Sequence, residues 1–152
     1  MNDILLFILL FMLNPNPHCV SNLTCHLIFV CKYRKPLLET YGEEIKKLCL
    51  DCANDSTKFE IATMEVDKDH IHFMINYSTH ETIKNIVKQL KSYTTFHIWR
   101  THEDELKTQF WKQKMFWTDS YFACSIGDAS RETVQRYIET QGGKPQAIHP
   151  RC

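Results

Sequence analysis

The segment Asp69-His70-Ile71-His72-Phe73 sets two imidazoles one residue apart among the apolar residues Ile71, Phe73 and Ile75. On an extended chain successive side chains point to opposite faces. The apolar set then enters a core, and His70 and His72 emerge together on the other face. Two neutral imidazoles so placed are able to share one divalent cation. Taken alone, the same pattern also describes two surface histidines on a half-exposed strand. A second group is Tyr137-Ile-Glu-Thr-Gln141, in which Tyr137 and Gln141 share a helical face at i, i+4. Val134 and Ile138 mark that helix's apolar stripe, and Gln141 projects almost along it. An amide aimed at packed protein needs a partner, such as a metal ion or a phosphate-site contact. The plainer readings are a capping glutamine in a frayed last turn and a core or rim tyrosine.

The two groups complement each other chemically. A tyrosine hydroxyl has a pKa of about 10 and attacks poorly at neutral pH. A cation beside it neutralises a phosphodiester and polarises the phosphorus. Two imidazoles and one amide oxygen leave positions for phosphate oxygens and water, a donor set suited to Mg²⁺ or Mn²⁺. Basic residues supply a third ingredient. Lys84, Lys88 and Lys91 fall at i, i+4 and i+7 on one helical stripe, and Lys32, Arg34 and Lys35 cluster after an apolar run. Such arrays grip phosphate backbones, although a lysine stripe is also an ordinary solvated face. Trp111, Phe116, Trp117, Tyr121 and Phe122 are able to stack unpaired bases, with part of the set required for the core.

These residues need elements to position them. Leu23 to Lys32 is β-branched and aromatic and reads as a buried strand; Glu39 to Asn54 has helical spacing. Phe59 to Val66 alternates, with Phe59, Ile61 and Thr63 on one face and Ala62, Met64 and Val66 on the other. The polar turn Asp67-Lys68-Asp69 joins it to the histidine strand as a hairpin. Thr79 to Arg100 is a long amphipathic helix through Ile83, Ile86, Val87, Leu90, Tyr93 and Ile98. Residues 101–118 are mixed, Tyr121 to Ile126 reads as a strand, and a last helix runs to about Gln141 before Gly142-Gly143. The order β-α-β-β-α-β-α predicts an α+β fold with a ferredoxin-like antiparallel sheet, helices on one side and a C-terminal helix carrying Tyr137.

The totals fit one such domain. A 152-residue chain with 43% hydrophobic and 24% charged residues has enough apolar side chain for a core. The formal net charge of zero argues against a general nucleic-acid coat protein, but leaves room for a local basic surface. Seven cysteines, odd in number and irregular in spacing, predict reduced and mostly buried thiols in a cytoplasmic protein. Ile4 to Leu13 is unbroken apolar sequence, about half the length that spans a bilayer. No Lys or Arg precedes it, and Asn14-Pro-Asn-Pro17 interrupts it. Residues 1–17 are therefore expected to be an appendage with no membrane partner, 18–143 the functional domain and 144–152 a polar tail.

Several separated blocks together resemble the TnpA-type single-tyrosine HUH transposases, the IS200-like insertion-sequence family. The blocks are His18 to His26 followed by LIFVCKYRKP, then DHIHF, KQLKSYTT, and FWTDSYFACSIG followed by RYIETQ, in that order from about His18 to Gly142. The resemblance implies Tyr137 as nucleophile, His70, His72 and Gln141 as metal ligands, and Mg²⁺ or Mn²⁺ as cofactor. It further implies cleavage and rejoining of single-stranded DNA with hairpin ends through a 5′-phosphotyrosine. The expected assembly is a homodimer whose composite sites take the histidines from one subunit and the tyrosine helix from the other. Lys68 stands where the family usually has proline, and Ser92 and Ser120 where it usually has glycine. A domesticated relative acting on chromosomal palindromic repeats, or a copy that binds nucleic acid without cleaving it, shares these motifs.

Overall fold

The computed structural model describes residues 23–125 together with Ile138 and Glu139. The elements are β1 (Leu23–Val30), a 3-10 turn (Lys32–Arg34), α1 (Leu38–Ser56), β2 (Phe59–Val66), β3 (His70–Tyr77), α2 (Ile83–Thr101), α3 (Glu103–Gln109) and β4 (Phe122–Ser125). The sheet order is β2-β3-β1-β4 with every neighbouring pair antiparallel. This is the ferredoxin-like βαββαβ arrangement expected from the order of elements. The proposed appendage at 1–17, the tail at 144–152, Tyr137 and Gln141 lie outside the described residues. Among the described residues no helix is long and apolar enough to cross a membrane.

Alternation on the two central strands divides the molecule. Cys25, Leu27 and Phe29 of β1 and Ile71, Phe73 and Ile75 of β3 are buried in the main core. There they meet Ile45 and Cys49 of α1 and Ile86, Leu90 and Ile98 of α2. The opposite face of β1 and β4 carries a smaller cluster of Ile28, Val30, Phe122 and Cys124, closed by Ile138. His70 pairs with Val30 and His72 with Ile28, so both imidazoles lie on this second face.

β2 departs from the strict alternation read from its sequence. Its pairing with β3 shifts register between Ile61 and Thr63, where a bulge absorbs Ala62. Ile61 pairs with Ile75, yet Met64 pairs with Phe73 and Val66 with Ile71. Phe59, Ile61, Met64 and Val66 thereby all pack on the main core. Without the extra residue, Met64 and Val66 would face the wrong side. Gly42 of α1 sits where a Cβ would come within 3.1 Å of Val66 Cγ1, so this glycine sets how closely α1 approaches β2.

The long helix starts later than its apolar pattern indicated. Thr82 caps it by accepting from the Asn85 backbone N–H at 3.2 Å, and the preceding residues turn with Glu81 N–H donating to Ser78 O. Within the mixed stretch after α2, α3 forms and buries Leu106. Cys25, Cys31, Cys49, Cys52 and Cys124 are free buried thiols, as expected of the cysteine pattern. Burial pushes the Cys52 thiol up to about 11 and holds Cys49, one turn earlier, further still in its neutral form.

Candidate active site

The histidine strand is the second arm of the β2–β3 hairpin. Its turn is closed by Asp67 N–H donating to His70 O, and Lys68 N–H donates to the Asp67 side chain. Asp69, at the end of this turn, is buried despite its charge. It has two partners. Asp69 Oδ1 lies 2.9 Å from His70 Nδ1, and Asp69 Oδ2 accepts from Arg34 Nε at 3.0 Å. Burial alone would raise the Asp69 carboxyl, but the hydrogen bonds from His70 and Arg34 outweigh it and hold the group below its ordinary value. An ionised Asp69 accepts from His70 Nδ1–H, which leaves Nε2 as the free lone pair.

Arg34 reaches Asp69 from a strained turn. Tyr33 and Arg34 both have positive φ, 59° and 51°. Consecutive non-glycine residues in this region cost about 1–3 kcal/mol each and persist only where surrounding contacts over-determine them. Here the contacts are the Arg34–Asp69 pair, Lys32 N–H donating to Phe116 O, and Arg34 N–H donating to Cys31 O. Arg34 Nη1 also reaches the Glu139 carbonyl at 3.5 Å. The same guanidinium thus touches the carboxylate behind His70 and the helical segment two residues beyond Tyr137.

His72 has a neighbour that pattern reading missed. His26 of β1 lies with Nδ1 3.0 Å from His72 Nε2, their ring centroids 5.1 Å apart. At that distance the two facing nitrogens cannot both carry protons. Burial first, and the nearby His26 second, lower the pKa of His72 and favour its neutral form. In the sequence His26 is in phase with Ile28 and Val30, so its face was legible. The β1–β3 register that brings it to His72 was not.

The donor set fits a divalent cation in part from the described residues. A ligating histidine usually gives its other N–H to a carboxylate, which fixes its tautomer and orientation, and the Asp69–His70 pair supplies that arrangement. Among the described residues, however, no cluster of three or more His, Cys, Asp or Glu side chains is arranged to hold a metal. A divalent cation held here would need a further donor from elsewhere, for which an amide oxygen such as that of Gln141 is chemically suitable.

The basic residues separate. Lys84 and Lys88 are exposed on α2, across the sheet from the imidazoles. Lys91 of the same stripe turns inward. Its ammonium donates to Thr118 O and Ser120 O, both at 2.7 Å, and lies 5.1 Å from the Phe29 ring centroid. In this structure Lys91 holds the connection to β4 instead of offering a phosphate contact. Lys32 pairs with Asp119, and Lys35 donates to Gln109 Oε1. Of the aromatic group, Phe116, Trp117 and Phe122 are core, while Trp111 is 80% exposed.

Comparison with known proteins agrees with this architecture. The family model described as "Transposase IS200 like" matches residues 19–141. ISDra2 transposase TnpA of Deinococcus radiodurans is 30% identical over 126 residues, covering 82% of this chain and 88% of the relative. A 1.90 Å crystal structure from Deinococcus radiodurans R1, described as a transposase, superposes with a TM-score of 0.76 at 26% identity, covering 87% of this chain and 100% of the other. A REP-associated tyrosine transposase bound to a REP hairpin shares the fold, with a TM-score of 0.52 at 13% identity over 82% of this chain and 67% of the other. The ferredoxin-like sheet, the paired histidines on the face opposite its main core and the match over most of the chain lead to one conclusion: this protein belongs to the IS200-like transposase family of DNA-processing enzymes.

Proposed function

We propose that the chain cleaves and rejoins single-stranded DNA at hairpin-bearing insertion-sequence ends, with Tyr137 as nucleophile and His70, His72 and Gln141 as ligands of Mg²⁺ or Mn²⁺. One observation carries the reading. The Asp69-oriented His70 and the neighbouring His72 open onto the sheet face on which Ile138, next to Tyr137, is packed. Ile138 thus shares a sheet face with the imidazoles, which supports Tyr137 as the residue that works beside them.

In the proposed reaction the Tyr137 oxygen attacks the scissile phosphorus. The bond from phosphorus to the 3′ oxygen breaks, and that oxygen leaves as a hydroxyl after taking a proton. The DNA 5′ phosphate remains on Tyr137, so the bond energy is kept for rejoining, when a 3′-hydroxyl attacks the phosphotyrosine and releases the phenol. A bound cation supplies charge neutralisation of the phosphate. The residues of this chain hold the imidazoles in ligating form, and Arg34 links the carboxylate behind His70 to the Glu139 backbone. A hairpin as the recognised element agrees with the REP hairpin held by the structurally similar transposase.

The test is a hairpin-bearing single strand incubated with the protein and Mg²⁺, resolved for a covalent protein–DNA adduct. Tyr137→Phe removes only the hydroxyl. It should abolish the adduct while leaving hairpin binding largely intact. His70→Ala and His72→Ala should each cut cleavage severely, and Gln141→Ala less so, because water replaces a weak amide ligand. An adduct persisting in Tyr137→Phe would move the nucleophile to another tyrosine, and undiminished cleavage in excess EDTA would remove the metal.

A further inference from the structure

The strained turn after β1 does two opposite things with adjacent side chains. Arg34 goes inward to Asp69, while Tyr33, at φ 59° and ψ 22°, is turned outward and is 64% exposed. A bulky residue in the left-handed region is uncommon, and such strain concentrates at functional positions. The Tyr33 ring lies 6.4 Å from Phe110, which is buried and forms a floor. The next residue, Trp111, is 80% exposed. Cations ring this group. Lys32 Nζ is 5.7 Å from the Tyr33 ring centroid, Lys35 Nζ 5.5 Å from that of Phe110, and Lys112 Nζ 4.9 Å from that of Trp111.

We propose that Tyr33 and Trp111, with Lys35 and Lys112, form a stacking surface for unpaired nucleotides that leads into the active site. The inference rests on the reading of the chain as a single-strand DNA transposase and names where the unpaired flank of its substrate is held. An unpaired base offers a π face to an exposed ring, and its phosphates meet the lysines beside it. Bases inside a duplex have those faces covered, so the surface selects single strand over stem. Its position supports this role. Tyr33 is the covalent neighbour of Arg34, whose guanidinium touches both Asp69 and the Glu139 carbonyl, so one short turn presents the exposed ring outward and reaches the proposed catalytic residues inward.

The experiment uses the full chain carrying Tyr137→Phe, without metal, so that binding is read apart from chemistry. The probe is an oligothymidylate of about ten nucleotides, within the usual site size of such surfaces. Trp99 and Trp117 are buried and Trp111 is exposed, so quenching of intrinsic fluorescence reports mainly on Trp111. The parent should quench on titration. Trp111→Ala should lose the quench and weaken binding of a labelled oligothymidylate roughly tenfold, as should Tyr33→Ala. Trp111→Phe should keep most of the affinity and Trp111→Leu should lose it, while affinity for a blunt hairpin stays unchanged in all four. Tyr33 sits in the strained turn, so the Trp111 variants decide the matter if Tyr33→Ala misfolds. Unchanged oligothymidylate affinity in Trp111→Ala overturns the proposal, as does a loss of self-association in its place. A wild-type protein that stacks the oligonucleotide on Trp111 but never forms an adduct sinks the transposase reading and leaves this surface standing. Adduct formation with unaltered binding in Trp111→Ala has the reverse meaning.

Discussion

His70 and His72 look alike in sequence, yet the structure treats them differently. His70 is tied through Nδ1 to an ionised carboxylate that Arg34 holds from behind. His72 faces another imidazole, His26. The first arrangement fixes one tautomer; the second keeps a partly buried ring neutral. Asp69→Asn tests the first. If the new amide turns its oxygen to His70, its NH₂ opposes Arg34 Nε–H and that bond is lost; if it turns its NH₂ to His70, Nδ1 must accept and the ring proton moves to Nε2, where it blocks the lone pair a cation would need. Mn²⁺ affinity should fall by roughly 10–100-fold, as for other partners of ligating histidines. A Mn²⁺ titration followed by electron paramagnetic resonance, with circular dichroism to show that the fold survives, makes the measurement. Wild-type affinity in this variant would mean that Asp69 serves the turn and not the cation.

At the scale of elements, what was legible in the sequence was periodic and what was not was long-range. Alternation across His70 to Ile75 fixed which face holds the imidazoles, because those apolar residues have only one core to enter. The bulge at Ala62 was hidden, since a strict period of two fits Phe59 to Val66 equally well until β3 supplies a register. Arg34 as the partner of Asp69 was hidden too, because it depends on a left-handed backbone that neither Tyr33 nor Arg34 favours. Lys91 shows how a correct helical stripe still misleads. Spacing grouped it with Lys84 and Lys88, but its stem crosses to the carbonyls before β4. Burial lowers its ammonium from 10.5 to about 8, against an opposing pull from Asp119. The sign follows from linkage. The unfolded chain holds this proton more tightly, so the folded state gains stability as pH rises from about 8 toward 10.5 and loses that gain as pH falls back through 8. Comparing denaturant midpoints of wild type and Lys91→Met across pH 7.5 to 10 isolates the effect. The wild type should improve relative to the variant by at most about 3 kcal/mol. A constant difference across that range would show that the two carbonyls and the rings keep Lys91 fully charged.

The whole molecule poses the question of which chain's tyrosine serves which chain's histidines. Within one chain, Ile138 closes a small cluster with Ile28, Val30, Phe122 and Cys124 on the histidine face, separate from the main core. Exchanging the Tyr137 segment between two subunits would rebuild the same contacts and alter little in stability, which is the condition for swapping in a symmetric dimer. Gly127 precedes the segment and Gly142-Gly143 follow it, residues suited to a hinge. We therefore expect active sites shared between subunits, and complementation tests it. Tyr137→Phe subunits are mixed with His70→Ala/His72→Ala subunits, each inactive alone. In a mixed dimer with swapped segments, one site combines an intact histidine pair with an intact tyrosine. Cleavage should return to at most about half the wild-type level per mixed dimer, since only one of its two related sites is complete. The covalent adduct should form only on the histidine-mutant chain, which a size tag on one subunit reveals. If mixed dimers are shown to form and stay inactive, each tyrosine serves its own chain, because a site assembled within one chain keeps its own defect whatever its partner carries.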